Sequence, residues 1–173
     1  METTLRNAAC TVRRAEPGDY EAITRLFSGP KVVWGTLQLP FPFAEAWRKR
    51  LAEPADGYYG LVACVLGELV GELGLITFPN TPRRRHAARL GMAVRDDWQG
   101  KGIGSALMQA AVDLADKWLN ITRLELEVFT DNEPAVRLYK KFGFVIEGTA
   151  VQFAFRDGQF VDVYTMARLR NSV

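Results

Sequence analysis

The chain has 173 residues, of which 48% are hydrophobic and 24% charged, and its formal net charge is +2. These values predict one globular domain over residues 1–173, and they exclude a disordered chain and a dedicated nucleic-acid binder. Because the chain has no long apolar run, no start typical of a signal peptide and no cysteine–histidine cluster, we expect a cytoplasmic protein without membrane or metal binding.

The first third of the chain predicts one strand and two helices. Residues 10–13 form a short apolar strand, and Asp19 is placed to cap a helix with Tyr20, Ile23, Leu26 and Phe27 on one face. Residues 28–42 are rich in glycine, proline and aromatic side chains, which indicates a loop or a broken helix. A second helix is predicted over residues 44–52.

Three strands follow in the middle of the chain. Residues 58–66 and 69–78 predict a hairpin with a tight turn at Gly67-Glu68. A loop with Arg83, Arg84 and Arg85 precedes a further strand over residues 87–94.

The last part of the chain contains the clearest helix. Apolar residues recur at spacings of three and four from residue 103 to 118, and a strand follows over residues 124–129. Asn132 and Gly143 mark the start and end of another helix, before a closing hairpin of residues 144–155 and 160–168. The order β-α-α-β-β-β-α-β-α-β-β predicts an α/β fold, a mixed sheet covered by helices.

A glycine-rich loop, Gln99 to Ser105, joins the fourth strand to the long helix. The first N–H groups of a helix lack intrahelical partners and carry partial positive charge. Glycine lets an anion approach this backbone closely, so the loop predicts a phosphate site, with Lys101 adding a cation at its rim. The spacing lacks the Walker pattern, and a dinucleotide fingerprint would require glycine where Ser105 stands.

Two motifs together resemble the GNAT family of N-acetyltransferases. The family's coenzyme A loop, Gln/Arg-x-x-Gly-x-Gly/Ala, is matched by Gln99, Gly102 and Gly104. Its second signature is matched by Asn132, Ala135, Leu138-Tyr139 and Gly143-Phe144. The resemblance covers essentially the whole chain, and within the family the chain more narrowly resembles the bacterial YhhY-type L-amino acid N-acetyltransferases.

This resemblance implies a GNAT fold in which the fourth and fifth strands splay apart around acetyl-coenzyme A. The acetyl group would pass directly to an amine, with a backbone N–H near Met92 polarising the thioester carbonyl. Tyr139 would protonate the leaving thiolate as a general acid. Coenzyme contacts are expected from Met92, Ala93, Val94, Gln99, Gly100, Lys101, Gly102, Ile103, Gly104, Ser105, Asn132, Ala135 and Tyr139.

Several carboxylates could act as the general base. Glu72 lies on the third strand, while Glu125 and Glu127 share one face of the fifth by period-2 alternation. Glu72 or Glu127 is the candidate base, and a water chain could replace both.

The acceptor amine is expected to lie between residues 27–43 and residues 153–160. These segments carry the candidates Trp34, Leu37, Phe41 and Phe155, while Arg83 or Arg156 could pair with a carboxylate. A free hydrophobic L-amino acid or similar small amine would satisfy both features.

Two other functions stay open. One is acetylation of protein N-termini or lysines, and the other is a non-catalytic acyl-coenzyme A-binding module. Because homodimers are common in the family, the closing hairpin could also serve as a homodimer interface.

Overall fold

The computed structural model describes residues 9–170, within which seven strands and five α-helices form one sheet covered on both faces. The expectation that no signal peptide is present depends partly on residues 1–8, which lie outside this range. The strands are β1 Thr11–Arg14, β2 Tyr58–Val65, β3 Glu68–Thr77, β4 Ala87–Val94, β5 Arg123–Phe129, β6 Val145–Arg156 and β7 Gln159–Leu169. The helices are α1 Tyr20–Phe27, α2 Pro30–Gly35, α3 Ala44–Ala52, α4 Ile103–Lys117 and α5 Glu133–Lys141.

The sheet has the order β1-β2-β3-β4-β5-β7-β6. Strands β4 and β5 run parallel, and the other neighbouring pairs run antiparallel. The predicted mixed α/β sheet is therefore confirmed.

Two apolar cores lie on opposite faces of this sheet. Helices α4 and α5 cover one face, where Leu107, Met108 and Tyr139 pack against buried strand residues. Helices α1 and α3 cover the other, where the rings of Phe27 and Trp47 stack at 4.9 Å.

Residues 28–42 match one of the two predicted alternatives, a broken helix, because α2 at Pro30–Gly35 is followed by a loop. Two other local predictions were wrong in detail. Asp19 precedes α1 but makes no side-chain cap, because its carboxylate accepts the Glu16 N–H at 2.8 Å and pairs with Arg13. The β2–β3 turn is formed by Leu66 and Gly67, which have positive φ, rather than by Gly67-Glu68.

The helix signals of α5 were read correctly. Asn132 Oδ1 accepts the Ala135 N–H at 3.4 Å, and Gly143 adopts a φ of 86° just after the helix. Within residues 9–170, no helix is both long and apolar enough to cross a membrane.

Candidate functional site

A cleft opens where β4 and β5 part. Their parallel pairing covers only Ala87 to Arg89 against Arg123 to Glu125, and beyond that point the strands diverge. Residues 90–94 keep β3 as a partner on one side and have none on the other. The splayed strands implied by the resemblance are present, and they enclose a cavity of about 1310 Å³.

The glycine-rich loop forms one wall of this cleft. Gln99 Nε2 donates to the Val94 carbonyl at 3.1 Å, which fixes the loop to the end of β4. Gly100 and Gly102 have φ values of 73° and 86°, and a Cβ at either would meet no atom within 4 Å. No side chain caps α4 at Gly102, so its first N–H groups are available to an anion.

Most residues expected to contact the coenzyme line this cleft, and two do not. The Ile103 side chain is buried in the core, and the Lys101 ammonium lies 5.0 Å from the centre of the Trp98 ring. The lining residues are Met92, Ala93, Val94, Gln99, Gly100, Gly102, Gly104, Ser105, Asn132, Ala135 and Tyr139.

Tyr139 reaches the cleft from α5. Its ring is buried against Phe144, with the ring centres 6.0 Å apart. Burial raises the pKa of the Tyr139 hydroxyl to about 12, which keeps it protonated at neutral pH.

Glu72 also lines the cleft and is the one charged residue within 9–170 that is buried, with 5% of its surface exposed. The Tyr58 hydroxyl donates to Glu72 Oε1 at 3.1 Å. Burial raises the pKa of Glu72 to about 7, against opposing contributions from the Arg50 charge and the Tyr58 hydrogen bond. Burial also raises the pKa of Tyr58, so the phenol stays a donor.

Three glycines lie in one row across the sheet beside Glu72, and two of them, Gly74 and Gly91, line the cleft. Gly60 pairs with Gly74, which pairs with Gly91. A Cβ at Gly60 or Gly74 would lie 3.0–3.1 Å from Tyr58, because the Tyr58 ring lies over both. A Cβ at Gly91 would meet no atom within 4 Å, so this part of the cleft is open.

The two other candidate bases differ from Glu72. Glu125 is held by Arg84 and Arg123 at 2.6 Å each. Partial burial acts to raise the pKa of Glu125, but the two arginines together outweigh it and the pKa is lowered. Glu127 is exposed at the edge of the cleft.

The structure brings only some of the expected acceptor residues to the cleft. Trp34 and Leu37 line it, as does Phe153. Phe41 is 96% exposed and Phe155 packs on Phe160, both outside the cleft lining. These two expectations were wrong because the Phe41 side chain lies almost wholly in solvent and the Phe155 ring packs against its hairpin neighbour instead of the cleft.

The expected carboxylate-binding arginines also lie elsewhere or are engaged. Arg83 does not line the cleft. Arg156 is mostly buried under Trp34, pairs with Asp131 and donates to the Trp34 carbonyl at 3.1 Å. Arg156 therefore fastens the hairpin to α2 and has its carboxylate partner within the protein.

Sequence reasoning missed Arg50 and Tyr58, which line or support the cleft from α3 and β2. Arg50 follows Arg48 and Lys49 in an ordinary charged helix, so no local signal distinguishes it. Within residues 9–170, no three metal-ligating side chains cluster as a metal site.

Asp96 connects the two halves of the cleft. It lies just before the glycine-rich loop, and its carboxylate accepts the Lys31 and Val32 N–H groups at 3.0 and 3.1 Å. These are first-turn donors of α2, the helix that carries Trp34. Asp96 thus fixes α2 to the segment that precedes the glycine-rich loop.

Comparison with known proteins gives consistent matches. Residues 20–144 match the Acetyltransferase (GNAT) family. The chain is 45% identical, over 92% of its length and 97% of the relative's, to the L-amino acid N-acetyltransferase AaaT of Escherichia coli. It is 28% identical to the spermidine N(1)-acetyltransferase of Vibrio cholerae over 95% of both chains.

Solved structures give the same result. A GNAT acetyltransferase from Streptococcus pneumoniae superposes with a TM-score of 0.81 at 28% identity, covering 94% of this chain and all of that one. The Vibrio cholerae spermidine N-acetyltransferase in complex with CoA and spermine gives 0.80 at 27% identity, over 92% and 95% of the two chains.

Proposed function

The chain belongs to the GNAT family of acetyltransferases, whose members use acetyl-coenzyme A, and from this premise we propose that it acetylates the amine of a free, apolar L-amino acid. The observation that carries the proposal is Glu72, a buried carboxylate with a pKa of about 7 in the same cleft as Tyr139. The name of the Escherichia coli relative supports the acceptor class. One domain, residues 1–173, would carry the whole activity.

The glycine-rich loop would hold the pyrophosphate of the coenzyme. Uncapped N–H groups at the start of α4 and open space at Gly100 and Gly102 fit an anion bound by the backbone. The unpaired edge of residues 90–94 offers hydrogen bonds to an extended amide-containing arm. A backbone N–H near Met92 would stabilise negative charge on the thioester oxygen.

Acetyl-coenzyme A would supply the activated acetyl group, and this chain's residues would move the two protons. Glu72 would accept a proton from the acceptor ammonium, because a pKa near the working pH suits a general base. The amine nitrogen forms the new bond to the acetyl carbon as the carbon–sulfur bond breaks, and it loses a second proton to become the neutral amide. Tyr139 would donate its proton to the departing sulfur and take up this second proton through water, while Glu72 releases the first proton to solvent.

Apolar side chains at the acceptor end would bind the side chain of the amino acid. Trp34, Leu37 and Phe153 line this end of the cleft. Burial of an apolar side chain there contributes binding energy in proportion to its area.

The test is thiol release from acetyl-coenzyme A with a panel of free amino acids, peptides and polyamines. We expect release with phenylalanine or methionine and little with spermidine or lysine-containing peptides. Coenzyme binding without thiol release on any panel member would contradict the proposal and favour a binding module.

Replacing Gly102 by alanine should weaken coenzyme binding about tenfold and change turnover at saturation little. The alanine strains a left-handed backbone position and places a methyl group where the anion approaches. Titration calorimetry with coenzyme A measures the effect. Gly158→Ala is the matched control, since Gly158 has a φ of 79° and equally open surroundings in the β6–β7 turn. Equal affinities in the two variants would exclude Gly102 from the coenzyme site.

A further inference from the structure

Arg50 differs from nearly all other arginines in the described chain. Most arginines within residues 9–170 hold a carboxylate or a carbonyl oxygen. In that range the exceptions are Arg50, Arg83 and Arg89, and of these only Arg50 and Arg89 line the cleft. An arginine with an open fork in a ligand cleft is suited to a planar carboxylate.

The guanidinium of Arg50 is held by stacking on two aromatic rings, which does not occupy its hydrogen-bond donors. Its guanidinium carbon lies 4.8 Å from the centre of the Tyr58 ring and 4.9 Å from that of Trp47. Stacking on ring faces restrains the guanidinium and leaves its N–H groups at the edge free to donate. Tyr58 can lie flat beneath it because Gly60 and Gly74 have no side chains.

Arg50 also lies near the carboxylate that we assign as the base. Tyr58 contacts both groups, since its ring supports Arg50 and its hydroxyl donates to Glu72. Burial raises the pKa of Glu72, and the charge of Arg50 partly offsets this rise. An amino acid whose amine is bound at Glu72 would therefore have the Arg50 guanidinium beside it.

Arg89, the other cleft arginine without a carboxylate or carbonyl partner within residues 9–170, is not close to Glu72. Glu72 pairs in register with Ala93, and Arg89 lies four residues further along β4. At about 3.3 Å per residue, Arg89 is roughly 13 Å from that position along the strand. The ammonium and the carboxylate of an α-amino acid are bonded to the same carbon. An amino acid whose ammonium lies at Glu72 therefore cannot place its carboxylate at Arg89.

We propose that Arg50 binds the α-carboxylate of the acceptor and thereby makes the enzyme selective for free α-amino acids over amino acid amides, peptides and polyamines. This inference rests on the proposed function and specifies which residue sets its substrate class. Arg50 is a specificity-determining residue, and the proton transfers belong to Glu72 and Tyr139.

The test compares L-phenylalanine with L-phenylalaninamide in the wild type and in Arg50→Gln. Because loss of the Arg50 charge raises the pKa of Glu72, the assays are run at pH 9, above that pKa in the wild type, and over a full pH profile. We expect Arg50→Gln to lower kcat/KM for phenylalanine about 100-fold and for the amide less than threefold. The loss should appear mainly in KM.

The controls separate this role from a structural one. Arg48→Gln removes a charge from the same helix, where Arg48 pairs with Glu45, and should leave both substrates unchanged. A misfolded Arg50→Gln would be replaced by Arg50→Lys, which keeps the charge but lacks the bidentate fork, and should lose at least fivefold on phenylalanine alone.

Two outcomes would overturn the inference while leaving the proposed function intact. One is an equal effect of Arg50→Gln or Arg50→Lys on acid and amide, and the other is selective loss in Arg89→Gln instead. If the wild type releases thiol with no amino acid at all, the proposed function itself fails, which is a distinct result.

Discussion

Replacing Glu72 by glutamine should lower kcat/KM about 10²- to 10⁴-fold and, at pH 8, make the fold more stable. The loss of activity follows from removing the proposed general base while keeping the shape of the side chain. The gain in stability follows from removing a charge from a site that is 5% exposed. A residue that only supported the fold would lose stability along with activity.

The pH dependence of this stability change has a definite sign. The pKa of Glu72 is raised from 4.5 to about 7 in the folded chain, so folding disfavours the ionised form. The wild type is therefore most stable below pH 4.5 with respect to this group, and it loses stability as pH rises towards 7. The full difference corresponds to roughly 3 kcal/mol. Glutamine does not ionise, so this loss is absent from the variant.

Urea unfolding at pH 4 and pH 8 would measure this difference. The free energies of unfolding of the wild type and Glu72→Gln should converge at pH 4 and separate at pH 8. Glu127→Gln is the matched comparison because Glu127 is exposed in the same cleft. If Glu127→Gln lost activity and Glu72→Gln did not, Glu127 would be the base.

Tyr139→Phe should lower turnover by about 10²-fold while coenzyme affinity stays unchanged. The phenol donates to the departing sulfur only as the carbon–sulfur bond breaks, so its loss affects kcat rather than binding. Stability should change little, because no hydrogen bond to the Tyr139 hydroxyl occurs within residues 9–170 and the ring itself is retained.

Stopped-flow thiol release and coenzyme titration separate the two effects. Tyr164→Phe removes a hydroxyl from β7, outside the cleft lining, and should behave as the wild type. Unchanged turnover in Tyr139→Phe would remove Tyr139 from the mechanism.

Features set by a few adjacent residues were predicted well from the sequence. The glycine-rich loop, the cap at Asn132 and the left-handed Gly143 are requirements of the local backbone, so they are visible in short motifs. The cap predicted at Asp19 was wrong because the sequence does not indicate which of several nearby donors its carboxylate binds. The carboxylate accepts the Glu16 N–H and pairs with Arg13 instead of capping α1. Homodimerisation and the cytoplasmic location stay predictions.

The acceptor end was predicted less well because it is assembled from distant parts of the chain. Arg50 on α3 meets Tyr58 and Glu72 only through helix packing and the β2–β3 register. Phe41 was expected in the cleft because of its aromatic character, yet its side chain is 96% exposed. An aromatic residue in a loop adds apolar surface, but the sequence does not predict whether its side chain faces the cleft or the solvent.

The glycine row in the sheet has a consequence for the divergence of relatives. A Cβ at Gly60 or Gly74 would lie 3.0–3.1 Å from Tyr58, so a side chain at either position would require the Tyr58 ring to shift. Gly91 has no such neighbour within 4 Å, so a mutation there would raise the floor of the cleft at little cost to folding. A single substitution at Gly91 could therefore change the size of the amino acid that the cleft accepts. Related enzymes could in this way come to acetylate different amines.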